Sequence, residues 1–246
     1  MADRGRSTSP FTQRRRGQRR RSVVRALVGL LVVALLSGGV YVVAFSDLLA
    51  ARSVEVEGLS TLTKTEVEAA AAVPLGTPLA RLDLEAVESR VRGLPRVESV
   101  EASRSWPRTI SLRVVERTAV AWIDIGGQVR GVDRFGADFR SYDEPPPLTE
   151  IRVATSDPRR RQQSLEGLGS VLSVMRSENQ ALLDRIAFGT AESQDSLTFE
   201  LTDGRTVRWG NFEKTKEKIA VLTALLASVD ASQYDVSAPE QPTTKA

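Results

Sequence analysis

Asp133, Asp138, Asp143 and Glu144 form the densest acid group in this 246-residue chain. Such a group could bind Ca²⁺ or divide the roles of general acid and base. Its members fall at hairpin and loop positions, where acids are hydrated and favour turns. The chain has no His and no Cys. That removes the commonest general base and metal ligand, together with thiolate metal sites, disulfides and a lipid-modified Cys. Ser170, in Gly167-Leu168-Gly169-Ser170, lies inside a helical pattern with no His to activate it. No phosphate-binding Gly-rich loop, dinucleotide fingerprint or Gly-x-Ser-x-Gly elbow is present. Motifs alone leave a Ser–Lys or paired-carboxylate enzyme open. Trp106 and Trp209 read as packing residues, and Arg159-Arg160-Arg161 as a solvated turn. No cofactor, metal or small-molecule substrate is expected.

The elements that carry these residues begin with a charge asymmetry. Residues 1–25 hold nine Arg against Asp3, a net +8, so a whole-chain charge of +3 leaves −5 for the remainder. A basic end followed at once by an apolar run suits an anionic membrane face better than nucleic acid. Ala26 to Phe45 is free of charge and about 20 residues long, enough for roughly 30 Å of hydrocarbon. It is too long for the 7–15-residue core of a cleaved signal peptide. The positive-inside rule places residues 1–25 in the cytoplasm and everything after about residue 47 outside the membrane. Residues 1–22 have too few apolar side chains for a core and are expected to be disordered.

Beyond the apolar run, Val54 to Gly58 alternates as a strand. Thr63-x-x-Glu66 is a capping box opening a short helix that Pro74, Gly76 and Pro78 stop. Asp83 caps a second helix with Leu84, Val87 and Val91 on one face. Val97 to Ser103 and the alternating Ile110, Leu112 and Val114 follow as strands, separated by Trp106-Pro107-Arg108. The order is strand, helix, helix, strand, strand. Further on, strands are expected at 120–125, 128–132, 148–153, 197–201 and 206–209. Helices are expected at about 162–176 and 213–226, with a polar turn at 157–161 and a last strand at 233–236.

Several fragments carry a resemblance: Val56-x-Gly58, Gly76-x-Pro78-Leu79 before Asp83, Leu94-Pro95-x-Val97, Trp106-Pro107 before the alternating strand, and Glu116-Arg117 before Val120-Ala121. In this order, directly after a spanning helix, they resemble the POTRA domain of the FtsQ/DivIB family of bacterial cell-division proteins. Val132-Asp133-x-x-Gly136, Asp203-Gly204, Trp209-Gly210 and Lys216 resemble the family's second, β domain. The resemblance implies an α+β fold: a transmembrane helix at 26–45, a POTRA domain at 53–118 and a strand-rich β domain with packed helices at 119–236. A cytoplasmic tail at 1–25, a linker at 46–52 and a C-terminal tail at 237–246 complete it. It also implies a single-pass type II protein of the cell membrane at the division septum, a scaffold linking early and late division proteins and not an enzyme. Its partners would be FtsB-like and FtsL-like chains, with other septal proteins engaging the POTRA domain.

The resemblance maps partner capture to the C-terminal end, onto Tyr234, Val236, Ala238, Gln241 and Thr243. A strand there would be an edge able to template a second chain, although Pro239 and Pro242 cannot donate to a ladder. Two other classes are weighed: a membrane-anchored cell-wall enzyme with an accessory POTRA-like domain, and an export or outer-membrane assembly factor. The second would need tandem units or a barrel-length series of strands, and neither is seen.

Overall fold

The computed structural model describes residues 11–246. Helix α1 spans Phe11–Phe45. Its stretch Val23–Val43, 21 residues, is apolar, with no side chain covered by the rest of the protein. At helical rise this is about 30 Å, the thickness of a bilayer's hydrocarbon core. The helix starts before the apolar run, so residues 11–22, expected to be disordered, are helical here. Arg and Gln are good helix formers, and extending an existing helix avoids the cost of nucleation. The rest of that expectation, residues 1–10, lies outside the described residues.

Two compact units follow from the contacts. One takes the chain to Gly58 with Thr63–Val91 and Val100–Val114; the other comprises Leu59–Leu62, Arg92–Ser99 and Val115–Ala246. In chain order come β1 (Ser53–Glu57), α2 (Lys64–Ala71), α3 (Leu84–Arg92), β2 (Val97–Ser105) and β3 (Thr109–Glu116). They form a three-stranded sheet ordered β1-β3-β2, with β1 parallel to β3 from Ser53↔Thr109 to Glu57↔Arg113. The capping box forms at Thr63 and Glu66, and Asp83 accepts from the Ala86 amide as the cap of α3. Val67, Ala71, Val87 and Val91 from the helices, with Ile110, Leu112 and Val114 from β3, are buried.

The larger unit is built on a nine-stranded sheet. Its strands are β4 (Ala121–Ile125), β5 (Gln128–Val132), β6 (Asp138–Tyr142), β7 (Thr149–Val153), β8 (Ile186–Ala191), β9 (Leu197–Leu201), β10 (Thr206–Gly210), β11 (Gln233–Asp235) and β12 (Thr243–Lys245). Their spatial order is β12-β11-β10-β9-β8-β7-β4-β5-β6. Helices α4 (Pro158–Glu178), α5 (Gln180–Leu183) and α6 (Thr215–Ser228) complete it. Leu168, Leu172 and Met175 of α4 and Leu222 of α6 share one core with Ile151, Phe199, Val207 and Trp209 of the strands. The predicted polar turn at 157–161 is instead the start of α4. The Asp157 carboxylate caps the Arg159 and Arg160 amides, and Pro158 takes the first helical position, where no N–H is needed. Strands β6, β8 and β12 and helix α5 were not among the predicted elements.

Candidate partner-binding edge

The chain reverses after β11. Asp235 accepts hydrogen bonds at Oδ1 from the Ser237 amide (2.9 Å) and hydroxyl (2.6 Å), and the Gln241 amide donates to the Ala238 carbonyl. The chain then returns antiparallel as β12, with Gln233↔Lys245, Tyr234↔Thr244 and Asp235↔Thr243. Pro239 and Pro242 fall in this connection, outside both strands, so the ladder loses no donor to them. The segment read as a tail is therefore the second half of a hairpin. All three residues of β12 are exposed, and β12 ends the sheet with one flank facing no other strand among the described residues.

The five predicted residues divide sharply. Tyr234 and Val236 are wholly buried. The Tyr234 hydroxyl donates to the Val229 carbonyl (2.7 Å) and accepts from Arg205 Nη1 (2.9 Å) and the Ala231 amide (3.2 Å), so it locks β11 beside β10. Strand β11 is not an edge: β10 flanks it in parallel and β12 in antiparallel pairing. The side chains of Tyr234 and Val236 thus lie in the core beneath the strand pair. Ala238, Gln241 and Thr243 are exposed on the connection and on β12 itself.

The end of β10, two strands in from the edge, is held by Lys218, which sequence reasoning missed. It is 1% exposed, and its Nζ donates to the Trp209 carbonyl (3.1 Å), the Asn211 carbonyl (2.9 Å) and Asn211 Oδ1 (3.1 Å). Burial lowers its pKa from the ordinary lysine value, against the pull of Glu213, Asp235 and Glu240. Gly210, at φ +78°, ends β10 where a Cβ would press on Ser237. Lys214, the residue before α6, pairs with Glu240 in the connection. Only a Lys beside the inward-facing Ile219 and Leu222 hinted at Lys218, and that pattern is common to many exposed helices.

The four acids of the group lie in different settings. Asp133 is fully buried, contrary to the hydrated loop position expected of it. Its Oδ1 accepts from the amides of Phe135 (2.9 Å) and Ala137 (2.8 Å), and its Oδ2 pairs with Arg117 at 2.5 Å. Gly136, at φ +76°, lets this loop close onto the α4 backbone at Leu165 and Glu166. Asp138 lies on β6 and pairs with Arg130, while Asp143 and Glu144 are exposed in the following loop. Among the described residues no three His, Cys, Asp or Glu side chains converge as a metal set. Trp209 packs edge-on to Phe199 in the core, as expected, whereas Trp106 is 51% exposed.

Comparison with known proteins places these features. The family model "POTRA domain, FtsQ-type" matches residues 49–117. A protein named cell division protein FtsQ from Streptomyces venezuelae is 43% identical over 222 residues, 88% of this chain and 82% of its own length. The chain belongs to the FtsQ family. The protein of the same name from Streptomyces coelicolor is 36% identical over 247 residues, covering 96% of this chain and 92% of the relative. That of Mycolicibacterium smegmatis is 37% identical over 220 residues, 89% of this chain and 63% of the relative. An FtsQ-family identity gives the protein a role in cell division. The apolar helix α1 fits a single membrane anchor.

Proposed function

We propose that this protein is a membrane-anchored division scaffold that works by binding and not by turnover, capturing FtsB-like and FtsL-like chains by strand addition on β12. On this reading the chain crosses the cell membrane once with its N-terminus in the cytoplasm, and both folded units act outside it at the septum. The observation that carries the reading is the exposed terminal strand of a nine-stranded sheet, with a free flank and a buried support beneath it. Backbone pairing along such a flank supplies affinity, and alternate side chains such as Thr243 set specificity. The opposite edge, β6, carries the Arg130 guanidinium on the Asp138 carbonyl and the Ser141 hydroxyl and serves as the comparison strand.

The test is site-specific photocrosslinking in living cells from Gln233 to Thr244, with Ser141 of β6 as comparison. Strong adducts to a small bitopic division protein are expected at Gln241 and Thr243 and none at Tyr234. Adducts at Ser141 alone, or none anywhere along 233–244, would sink the reading.

A further inference from the structure

The smaller unit has an apolar end. Leu48, Leu75 and Trp106 are 62%, 60% and 51% exposed. They come from three separate stretches of chain that the backbone ties together. The Ala51 amide donates to the Thr77 carbonyl (2.9 Å), and the Gly76 amide, next to Leu75, donates to the Ala51 carbonyl (2.8 Å). The Arg52 amide donates to the Arg108 carbonyl (2.8 Å), and Arg108 Nε donates to the Leu48 carbonyl (2.9 Å). The parallel register begins at Ser53↔Thr109, so the turn bearing Trp106 sits at the end of the sheet where the chain leaves α1.

Three features select what covers this end. The segment joining it to α1 is short and fixed: Ser46 caps a 3-10 turn at Asp47–Leu49, and Ala51 and Arg52 are already pinned. Counting from Phe45, where α1 and its uncharged run end, at near-extended and then 3-10 rise puts Leu48 about 7 Å past the helix. A headgroup layer is itself about 5–7 Å deep on each side of the hydrocarbon. The chemistry matches as well, since Trp is the side chain enriched at that depth, with its ring in the interface. Arg52 and Arg108 are tied to this same end by the bonds just described, and basic side chains there suit anionic headgroups.

We propose that Leu48, Leu75 and Trp106 form a lipid seat, by which the first folded unit rests in the outer headgroup layer of the same membrane that α1 crosses. This rests on the reading that α1 spans a bilayer. The seat would fix the unit's height and tilt above the surface, where a bare tether would leave both free.

The test uses the full chain in phosphatidylglycerol–phosphatidylcholine vesicles. Because the protein contains no Cys, single cysteines can be placed by Leu31→Cys, Leu75→Cys and Glu101→Cys and labelled with an environment-sensitive nitrobenzoxadiazole dye. Glu101 lies on β2, five residues and about 17 Å of extended strand before Trp106. The dye at position 75 should be quenched by headgroup-level spin-labelled lipid and be at least threefold less open to aqueous iodide than the dye at position 101. Adding Trp106→Ala should restore iodide access at 75 without loss of folding, since that side chain is half exposed. If position 75 is as open as 101 while 31 stays protected, the seat is refuted and the span stands. Open access at 31 would remove the span, and the seat with it.

Discussion

Glu116 shows how much one side chain can organise. Its carboxylate accepts from the amides of Ser60 (2.6 Å), Thr61 (2.9 Å) and Leu62 (3.1 Å) and from the Thr61 hydroxyl (2.5 Å). Burial alone would raise its pKa, but the Thr61 hydroxyl and the three amides outweigh burial and hold it at about 2. A carboxylate depressed in the folded state stabilises the fold above its ordinary value of 4.5 and loses that contribution as pH falls towards 2. Urea unfolding of the wild type should therefore weaken between about pH 5 and pH 2, and Glu116→Gln should flatten that decline while costing stability at pH 7. An unchanged pH slope in the variant would show that other groups carry it. The sequence displays Glu116-Arg117 but not the loop that wraps the carboxylate. For Asp133 it displays the Val-Asp-x-x-Gly pattern but not the partner, because Arg117 lies sixteen residues away and reaches it only in the folded sheet.

Among the elements, those with a local signature were legible. The capping box at Thr63, the alternation at Ile110, Leu112 and Val114, and the Asp203-Gly204 turn each fix conformation within a few residues. Strands β6, β8 and β12 lacked such marks. In β8 the buried positions include Gly189 and Ala191, small because Phe199 and Leu168 lean over Gly189, so the apolar alternation disappears. Strand β12 reads Thr-Thr-Lys and exists only through its pairing with β11. Without β12 the last visible strand, β11, reads as the edge, whereas Tyr234 and Val236, which the resemblance assigns to partner capture, are buried in the core. The corrected edge gives its own prediction. Thr244→Pro removes a donor and bends the strand. Being exposed, it should cost about 1 kcal/mol or less of global stability, yet lower co-purification of the partner by tenfold or more. Retained capture by the variant would move the binding surface off β12.

For the whole molecule, membership of the FtsQ family leads to a cellular expectation. Depletion should give filaments that grow without dividing, and a copy carrying Lys218→Ala, with the end of β10 left unbraced, should rescue poorly. Normal division during depletion would contradict the role. The shortness of β12 has a further consequence. Three paired residues supply few backbone hydrogen bonds, each contributing about 1 kcal/mol net, so a free peptide copy of the partner should bind only feebly. Two chains rooted in the same bilayer meet in a thin layer where their effective concentration is orders of magnitude higher. On the proposed reading, a brief strand would then suffice for assembly between co-anchored proteins and would stay unresponsive to soluble segments that happen to match it.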